Sequence, residues 1–285
     1  MKFAVIDVGS NSVRLMLSDG VNTFYKKVIT TQLAKGMIDN MLSLEAVERT
    51  CRAVSFFVNV ARQENVDKIL CYATAAVRSA KNKEIFVSKV KELCDLDVDV
   101  IDGNMECLCG VLGALNGSDG AILDIGGAST EIAVLKHGQL VYSHSLDIGA
   151  VKLTDLCGQD KFKARDVLQN LLVQYGEVDI DELKGIGGTA TSITAMLQEL
   201  EQYDVSKTHD SIIRLNDLHA LVDKLYDMSV EERKKMKGLQ PERAEVIASG
   251  ALIMLEVMKY LSITQVIVSE MDNLEGYLYN FLEKK

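Results

Sequence analysis

The chain has 285 residues, 48% hydrophobic and 25% charged, with a single proline. That length and composition suit one large packed core or two of ordinary size, and they exclude a disordered or proline-rich chain. The net charge of −10 argues against a general nucleic-acid binder, but not against a small polyanion held by a local site.

Three short strands are predicted to open the chain, at Phe3–Ile6, Val13–Leu17 and about Tyr25–Thr30. Ser43 caps a helix over Leu44–Ala61, whose apolar positions Leu44, Val47, Cys51, Val54, Val58 and Ala61 recur every three or four residues. A strand at Lys68–Tyr72, a helix from Asn82 to Leu93 and a strand at Val98–Ile101 follow. Gly103-Asn104 turns into a helix from about Met105 to Leu115. Asn116-Gly117-Ser118-Asp119-Gly120 is the best boundary, dividing the chain into domains 1–117 and 118–285.

The pattern then restarts. Strands at Ala121–Asp124, Glu131–Leu135 and Gln139–Ser145 lead into helices. A short strand ends near Gly185-Ile186, and Gly187-Gly188-Thr189 opens a helix to about Leu200. Helices are predicted at Asn216–Met228 and Glu242–Leu261, a buried strand at Gln265–Ser269, and a final helix at Leu274–Leu282 that is free to return to the first domain. Alternating strands and helices imply an α/β fold with helices covering mixed sheets.

Two segments are versions of one motif. Residues 7–17, beginning Asp7-Val8-Gly9-Ser10-Asn11-Ser12, align without a gap on residues 124–134, beginning Asp124-Ile125-Gly126-Gly127-Ala128-Ser129-Thr130-Glu131. Strand, Asp, Gly/Ser turn, strand is a hairpin built to meet a ligand. Glycine lets backbone approach closely, free N–H groups and hydroxyls cradle phosphate oxygens, and an aspartate at the strand end can hold a metal ion beside them. Two such loops facing one cleft would grip a phosphate chain from opposite walls.

Other candidates are weaker alone. Gly187-Gly188-Thr189 forms a glycine-rich helix start, suited to anions but equally to a plain turn. Arg78 follows a strand and could clasp phosphate. Glu106 lies in a first helical turn, where acids are common, yet could act as a general base. Glu131 sits in a strand beside the second loop, in place of Arg14 in the first copy, and suggests metal or water binding. The four histidines form no HExxH or charge-relay pattern, and no GxxxxGK[ST] loop exists. Six cysteines show neither a CxxC pair nor zinc spacing, as expected of reduced buried thiols. Asp7 interrupts the first apolar run too early for a secretory signal, and no stretch approaches the ~20 apolar residues of a membrane span. A cytoplasmic protein is expected, without membrane or nucleic-acid partners.

The paired loops resemble the phosphate motifs of the actin, sugar kinase and heat-shock chaperone ATPase superfamily. More closely, the chain resembles the exopolyphosphatase/guanosine pentaphosphate phosphatase family over nearly its full length. The resemblance is carried by Ala4–Leu17, Ala73–Arg78, Gly103–Gly113, Leu123–Glu131, Pro241–Leu252 (with Arg243) and Val268–Gly276. It implies two similar actin-like, ribonuclease H-like domains around a central cleft. It also implies Mg²⁺- or Mn²⁺-dependent hydrolysis of the terminal phosphoanhydride of polyphosphate or of guanosine pentaphosphate. Carried residue by residue, it makes Glu106 and Glu131 catalytic. Asp7, Asp124 and Glu131 lie at the metal, and Gly9–Ser12, Arg78, Gly126–Thr130 and Gly187–Thr189 at the phosphates.

The chain departs from the family pattern at Met105, Leu108, Ala128, Glu270 and Asp272, none of them a carried catalytic position. Longer relatives carry a further C-terminal domain, so short-chain polyphosphate is the favoured substrate. Rival readings are the guanosine pentaphosphate reaction, a phosphotransferase, and a non-catalytic phosphate sensor. A homodimer is compatible with the fold, but no interface signal is visible.

Overall fold

A computed structural model describes residues 1–180 and 182–284. The N-terminal half is built on β1 (Phe3–Val8), β2 (Ser12–Ser18), β3 (Thr23–Thr30), β4 (Lys68–Ala73) and β5 (Asp99–Val100), in sheet order β3-β2-β1-β4-β5. All six residues of β1 are buried, as its continuous apolar run requires of a central strand. The edge strand β3 is exposed over most of its length and carries Lys26 and Lys27, which discourage edge pairing. Helices α1 (Leu44–Gln63), α2 (Ala75–Ser79) and α3 (Lys83–Cys94) complete this half, with α1 and α3 packed together on one face of the sheet.

The second half begins with α4 (Gly103–Leu115), β6 (Gly120–Ile125), β7 (Thr130–Lys136) and β8 (Gln139–Leu146). Helices α5 (Ala150–Cys157) and α6 (Lys161–Leu172) lead to β9 (Leu183–Ile186) and α7 (Gly187–Leu197). Then come α8 (Val205–Thr208), β10 (Ile212–Arg214), α9 (Leu215–Asp227), α10 (Val230–Arg233), α11 (Ile247–Tyr260), β11 (Gln265–Val268) and α12 (Asn273–Glu283). The second sheet runs β10-β11-β9-β6-β7-β8. Apart from β10 it repeats the first: two antiparallel pairings at the hairpins, then two parallel ones. The register repeats too, with Asp7 opposite Arg14 and Asp124 opposite Glu131.

Two helices exchange sides. α4 packs on the second sheet, while α12 returns to the first, where Leu274 and Leu278 join Phe3, Val5, Met16 and Tyr72 in one buried cluster. Tyr277 stacks on Tyr72 with ring centroids 4.4 Å apart. α4 and α12 cross so closely that a Cβ on Gly113 would overlap the Asp272 carbonyl, and one on Gly276 that of Cys109. Only glycine permits this backbone contact, which fixes Glu106 of α4 relative to the start of α12.

Several predicted boundaries move. α4 starts at Gly103 because Asp102 caps it, accepting from the Met105 N–H at 2.8 Å. The helix predicted from Glu242 begins at Ile247, since Pro241 opens a separate 3₁₀ turn over Pro241–Arg243. The five-residue α2 and three-residue β10 are too short to show a period, and the sequence reading lacks them. No described helix is long and apolar enough to cross a membrane.

Candidate active site

Each copy of the motif closes the same turn. Gly9 donates to the Ser12 carbonyl at 3.0 Å, and Gly126 to that of Ser129 at 3.0 Å. The N–H groups of Ser10, Asn11, Gly127, Ala128 and Ser129 make no hydrogen bond to another backbone group, so they are free for an anion. The loops meet across the cleft, where a Cβ on Gly127 would stand 2.8 Å from that of Ser10. The loop after β9 adds a third wall. Gly187 turns there at φ +74°, and a Cβ on it would stand 2.6 Å from Asp124 Oδ1.

These loops enclose a cavity of about 100 Å³. Its lining includes the predicted residues Asp7, Gly9, Ser10, Asn11, Ser12, Glu106, Asp124, Gly126, Gly127, Ser129, Gly187, Gly188 and Thr189. Four predicted residues lie elsewhere. The Thr130 hydroxyl is buried and donates to the Ile148 carbonyl at 2.6 Å, so its part is structural. Ala128 sits in the turn but not on the cavity wall. Glu131 lies behind the wall, 1% exposed, where it accepts from the Ser145 hydroxyl at 2.6 Å. Arg78 borders a neighbouring cavity and donates to Glu106 at 2.7 Å and to the Ile101 carbonyl at 3.1 Å. It therefore orients Glu106 directly.

The site also holds residues that sequence reasoning did not assign to it. Arg14 donates to Asp7 Oδ2 through Nε at 2.8 Å and Nη2 at 2.5 Å, and through Nη1 to Asp272 at the start of α12. Asn273 donates to Asp124 at 2.8 Å. Arg243 lines the cavity and hydrogen-bonds only to Ser192 and Gln240, with no carboxylate partner among the described residues. An arginine in a cleft with only neutral partners is a ready anion ligand. Arg14 had a signal in the sequence: it stands where the second copy has Glu131. Asp272 and Asn273 had none, because their place depends on the α4–α12 crossing.

The electrostatics set the two hairpins apart. Burial raises Asp7, although Arg14 beside it pulls the other way. Burial also raises Asp272, but Arg14 and Lys26 outweigh it and leave that carboxyl below its ordinary value. Asp124 has no such relief: burial, with Glu106, Asp272 and Asp7 adding to it against Arg14, pushes it up to about 7. Burial raises Glu131 well above the carboxylate range, with Glu106 and Asp124 adding to it. Glu106 is raised mainly by burial, despite Arg78. Five carboxylates thus interact in one buried region against Arg14 and Arg78.

That excess of hard oxygen donors fits a divalent cation such as Mg²⁺ or Mn²⁺. Asp7 Oδ1 and Glu131 Oε2 are buried without a hydrogen-bond partner, and at neutral pH Asp124 stands at the edge of ionisation. No group of three or more such side chains among the described residues would cage a metal alone. A site of that kind takes one or two protein carboxylates and fills its remaining positions from substrate phosphates and water.

The model of the Ppx/GppA phosphatase family matches residues 16–285. An exopolyphosphatase 2 of Mycobacterium tuberculosis is 28% identical over 96% of this chain and 97% of its own length. A bifunctional 3-dehydroquinate synthase/phosphatase of Fusobacterium nucleatum is 29% identical, and the chain spans 47% of that protein. A guanosine-5'-triphosphate,3'-diphosphate pyrophosphatase of Photobacterium profundum is also 29% identical, with 59% of its length spanned. Among solved structures, an Aquifex aeolicus Ppx/GppA family member superposes with a TM-score of 0.80 at 28% identity, covering 100% of this chain and 98% of that one.

Proposed function

The chain belongs to the Ppx/GppA phosphatase family, and on that footing we propose that it hydrolyses the terminal phosphoanhydride of short linear polyphosphate and releases orthophosphate. The observation that carries this reading is the meeting of two phosphate loops around a cavity into which Glu106 projects. A terminal phosphate between the loops would receive their free N–H groups and the hydroxyls of Ser10, Ser12 and Ser129. Such donors are already in place when charge develops, so little reorganisation is needed.

Glu106 takes the proton of the attacking water. Its burial raises its basicity above that of an ordinary carboxylate, and Arg78 holds the ionised form in one orientation. Glu131 acts from behind the wall as a buried carboxyl fixed by Ser145, and its proton spares Glu106 and Asp124 a further like charge. Asp7 and Asp124 are the side chains that would hold a divalent cation, which when bound offsets charge on the phosphates. Arg243 and Arg14 border both this cavity and a larger one of about 740 Å³, whose wall also bears Lys26 and Lys27. Its lining also holds Glu242, Glu270 and Asp272, and Arg243 and Lys27, which have no carboxylate partner among the described residues, are the cations best placed to meet the rest of a polyanionic chain.

Guanosine pentaphosphate is the second reading. The larger cavity falls within the 300–1,000 Å³ of small-molecule sites and carries Tyr203 on its wall, so it has room for a nucleoside. Orthophosphate release from tripolyphosphate and from guanosine pentaphosphate, measured in parallel with Mg²⁺, tests both. Faster release from tripolyphosphate supports the first reading, and faster release from the nucleotide transfers the function to the second. Release from neither, with tight binding retained, would leave a phosphate sensor.

A further inference from the structure

The catalytic cavity has neighbours on more than one side. The 740 Å³ cavity shares Arg14, Gly187, Gly188 and Arg243 with it. A different cavity of about 370 Å³ shares Ala75 and Ser129 with it. The remaining walls of this further cavity come from Asn40, Arg78, Ser79, Gly103, Ser145 and Asp147. A fourth space, toward Asn11 and Glu245, measures about 10 Å³ and holds one water at most. The small phosphate-sized chamber therefore adjoins two larger ones.

The two differ in what they can hold. The 740 Å³ side has the room a remaining phosphate chain needs, and Arg14, Lys26, Lys27 and Arg243 outnumber the carboxylates Glu242, Glu270 and Asp272 on its walls. The 370 Å³ side has Arg78 as its one cation, with hydroxyls at Ser79, Ser129 and Ser145. Asp147 at its rim is already paired with Lys152 at 2.6 Å. Arg78 is already bonded to Glu106 and the Ser145 hydroxyl to Glu131, so a single small anion is held only weakly there, and weak binding suits passage. With the shortened chain still filling the 740 Å³ cavity, the Arg78–Ser145 cavity is the larger of the other two described spaces that share walls with the chamber, and it has room for orthophosphate.

The geometry points to the Arg78–Ser145 cavity, which has no lining residue in common with the 740 Å³ one, as the exit for product orthophosphate, separate from the side from which the substrate chain enters. This rests on the hydrolase reading above. Separate entry and exit let the chain advance by one phosphate without first dissociating.

Ser79→Phe tests the exit, because Ser79 lines this cavity and not the catalytic one; Ser79→Ala is the control. Acid-quenched first turnovers on tripolyphosphate with Mg²⁺ report bond cleavage, and continuous orthophosphate detection reports steady turnover. The first-turnover rate is expected to stay within about twofold of the unmodified protein. The steady rate is expected to fall by about tenfold, as when product release limits turnover, leaving a burst of one phosphate per site. An unchanged steady rate in a folded variant overturns the proposal, as does an equal fall in both rates.

Asp147→Lys keeps the test open if Ser79→Phe does not fold, since Asp147 is 84% exposed. A cation there should tighten inhibition by orthophosphate about fivefold, the scale of an exposed ion pair, and leave the KM for tripolyphosphate unmoved. No change in inhibition, or a parallel change in KM, contradicts an exit separate from the entrance. If the unmodified protein gives no phosphate even in the first turnover, the hydrolase reading fails and takes this inference with it.

Discussion

The two hairpins share a backbone and oppose each other in charge. Asp7 faces Arg14 across its strand pair, and Asp124 faces Glu131 at the same register. Opposite charges across a strand pair stabilise it and like charges weaken it. In the first hairpin Arg14 pairs with Asp7 Oδ2 and reaches on to Asp272, tying β2 to the start of α12, while Asp7 Oδ1 keeps no partner. The second is left with surplus negative charge, and Asp124 and Glu131 both shift upward. The two cradles share a backbone, and the difference between Arg14 and Glu131 makes one a brace and leaves the other without a cationic partner across its strand pair.

Glu106 lies between the two and feels Asp7 and Arg14 as well as Arg78. Glu106→Gln keeps its shape and removes its basicity. Phosphate release is expected to fall by about 10²–10⁴-fold, the usual contribution of a general base. Nearly full activity in a stopped assay would remove Glu106 from the mechanism.

Breaking the brace is the next largest effect. Arg14→Met leaves Asp7 and Asp272 buried without their cation. Loss of one partner from a buried pair costs about 3–5 kcal/mol, which denaturant unfolding should read directly. A loss below about 1 kcal/mol, the range of exposed pairs, would show that these carboxylates are well solvated.

A smaller effect follows from the second hairpin. A carboxyl raised on folding contributes stability that is complete below its unfolded pKa and lost as pH rises through the folded one. For Asp124 that window runs from the ordinary 3.8 up to about 7. In the absence of divalent cations the protein should lose stability across it. Glu131→Gln removes a buried carboxyl whose ionisation is opposed by Asp124, so melting at pH 8 should rise relative to the unmodified protein, and less at pH 5. Equal shifts at both values would mean that Asp124 and Glu131 do not interact.

The smallest effect expected is at Lys35–Glu245, a 2.7 Å pair joining the loop after β3 to the segment before α11, with both side chains at least 40% exposed. Lys35→Ala should change stability by no more than about 1 kcal/mol. A larger loss in thermal unfolding would give this loop a part in holding the halves together.

The first hairpin's Asp-Gly-Ser loop was legible because its chemistry is local: strand, aspartate, glycine and hydroxyls lie within eleven residues, and the second copy repeats them in register. The long helices were legible for the same reason, through their period. What depended on distant contact was not. Arg78 read as a phosphate grip, and only the approach of α4 makes it the partner of Glu106. Asp272 read as a departure from the family pattern, and only the glycine-permitted crossing of α4 and α12 makes it a partner of Arg14. Glu131 could be placed on its strand but not behind the cavity wall, since period-two alternation gives a face and not what covers it.

The contrast between the hairpins is tested most directly by thermal melting at pH 7 with and without millimolar Mg²⁺, for the unmodified protein and for Asp124→Asn. A cation seated at the second hairpin raises the melting temperature of the unmodified protein in a concentration-dependent way, by about 2–4 °C for each kcal/mol of binding. Asp124→Asn should melt higher than the unmodified protein without Mg²⁺, and should gain little when it is added. Equal gains for both proteins would contradict the account, because Mg²⁺ would then bind without the carboxylate that the second hairpin leaves unpaired.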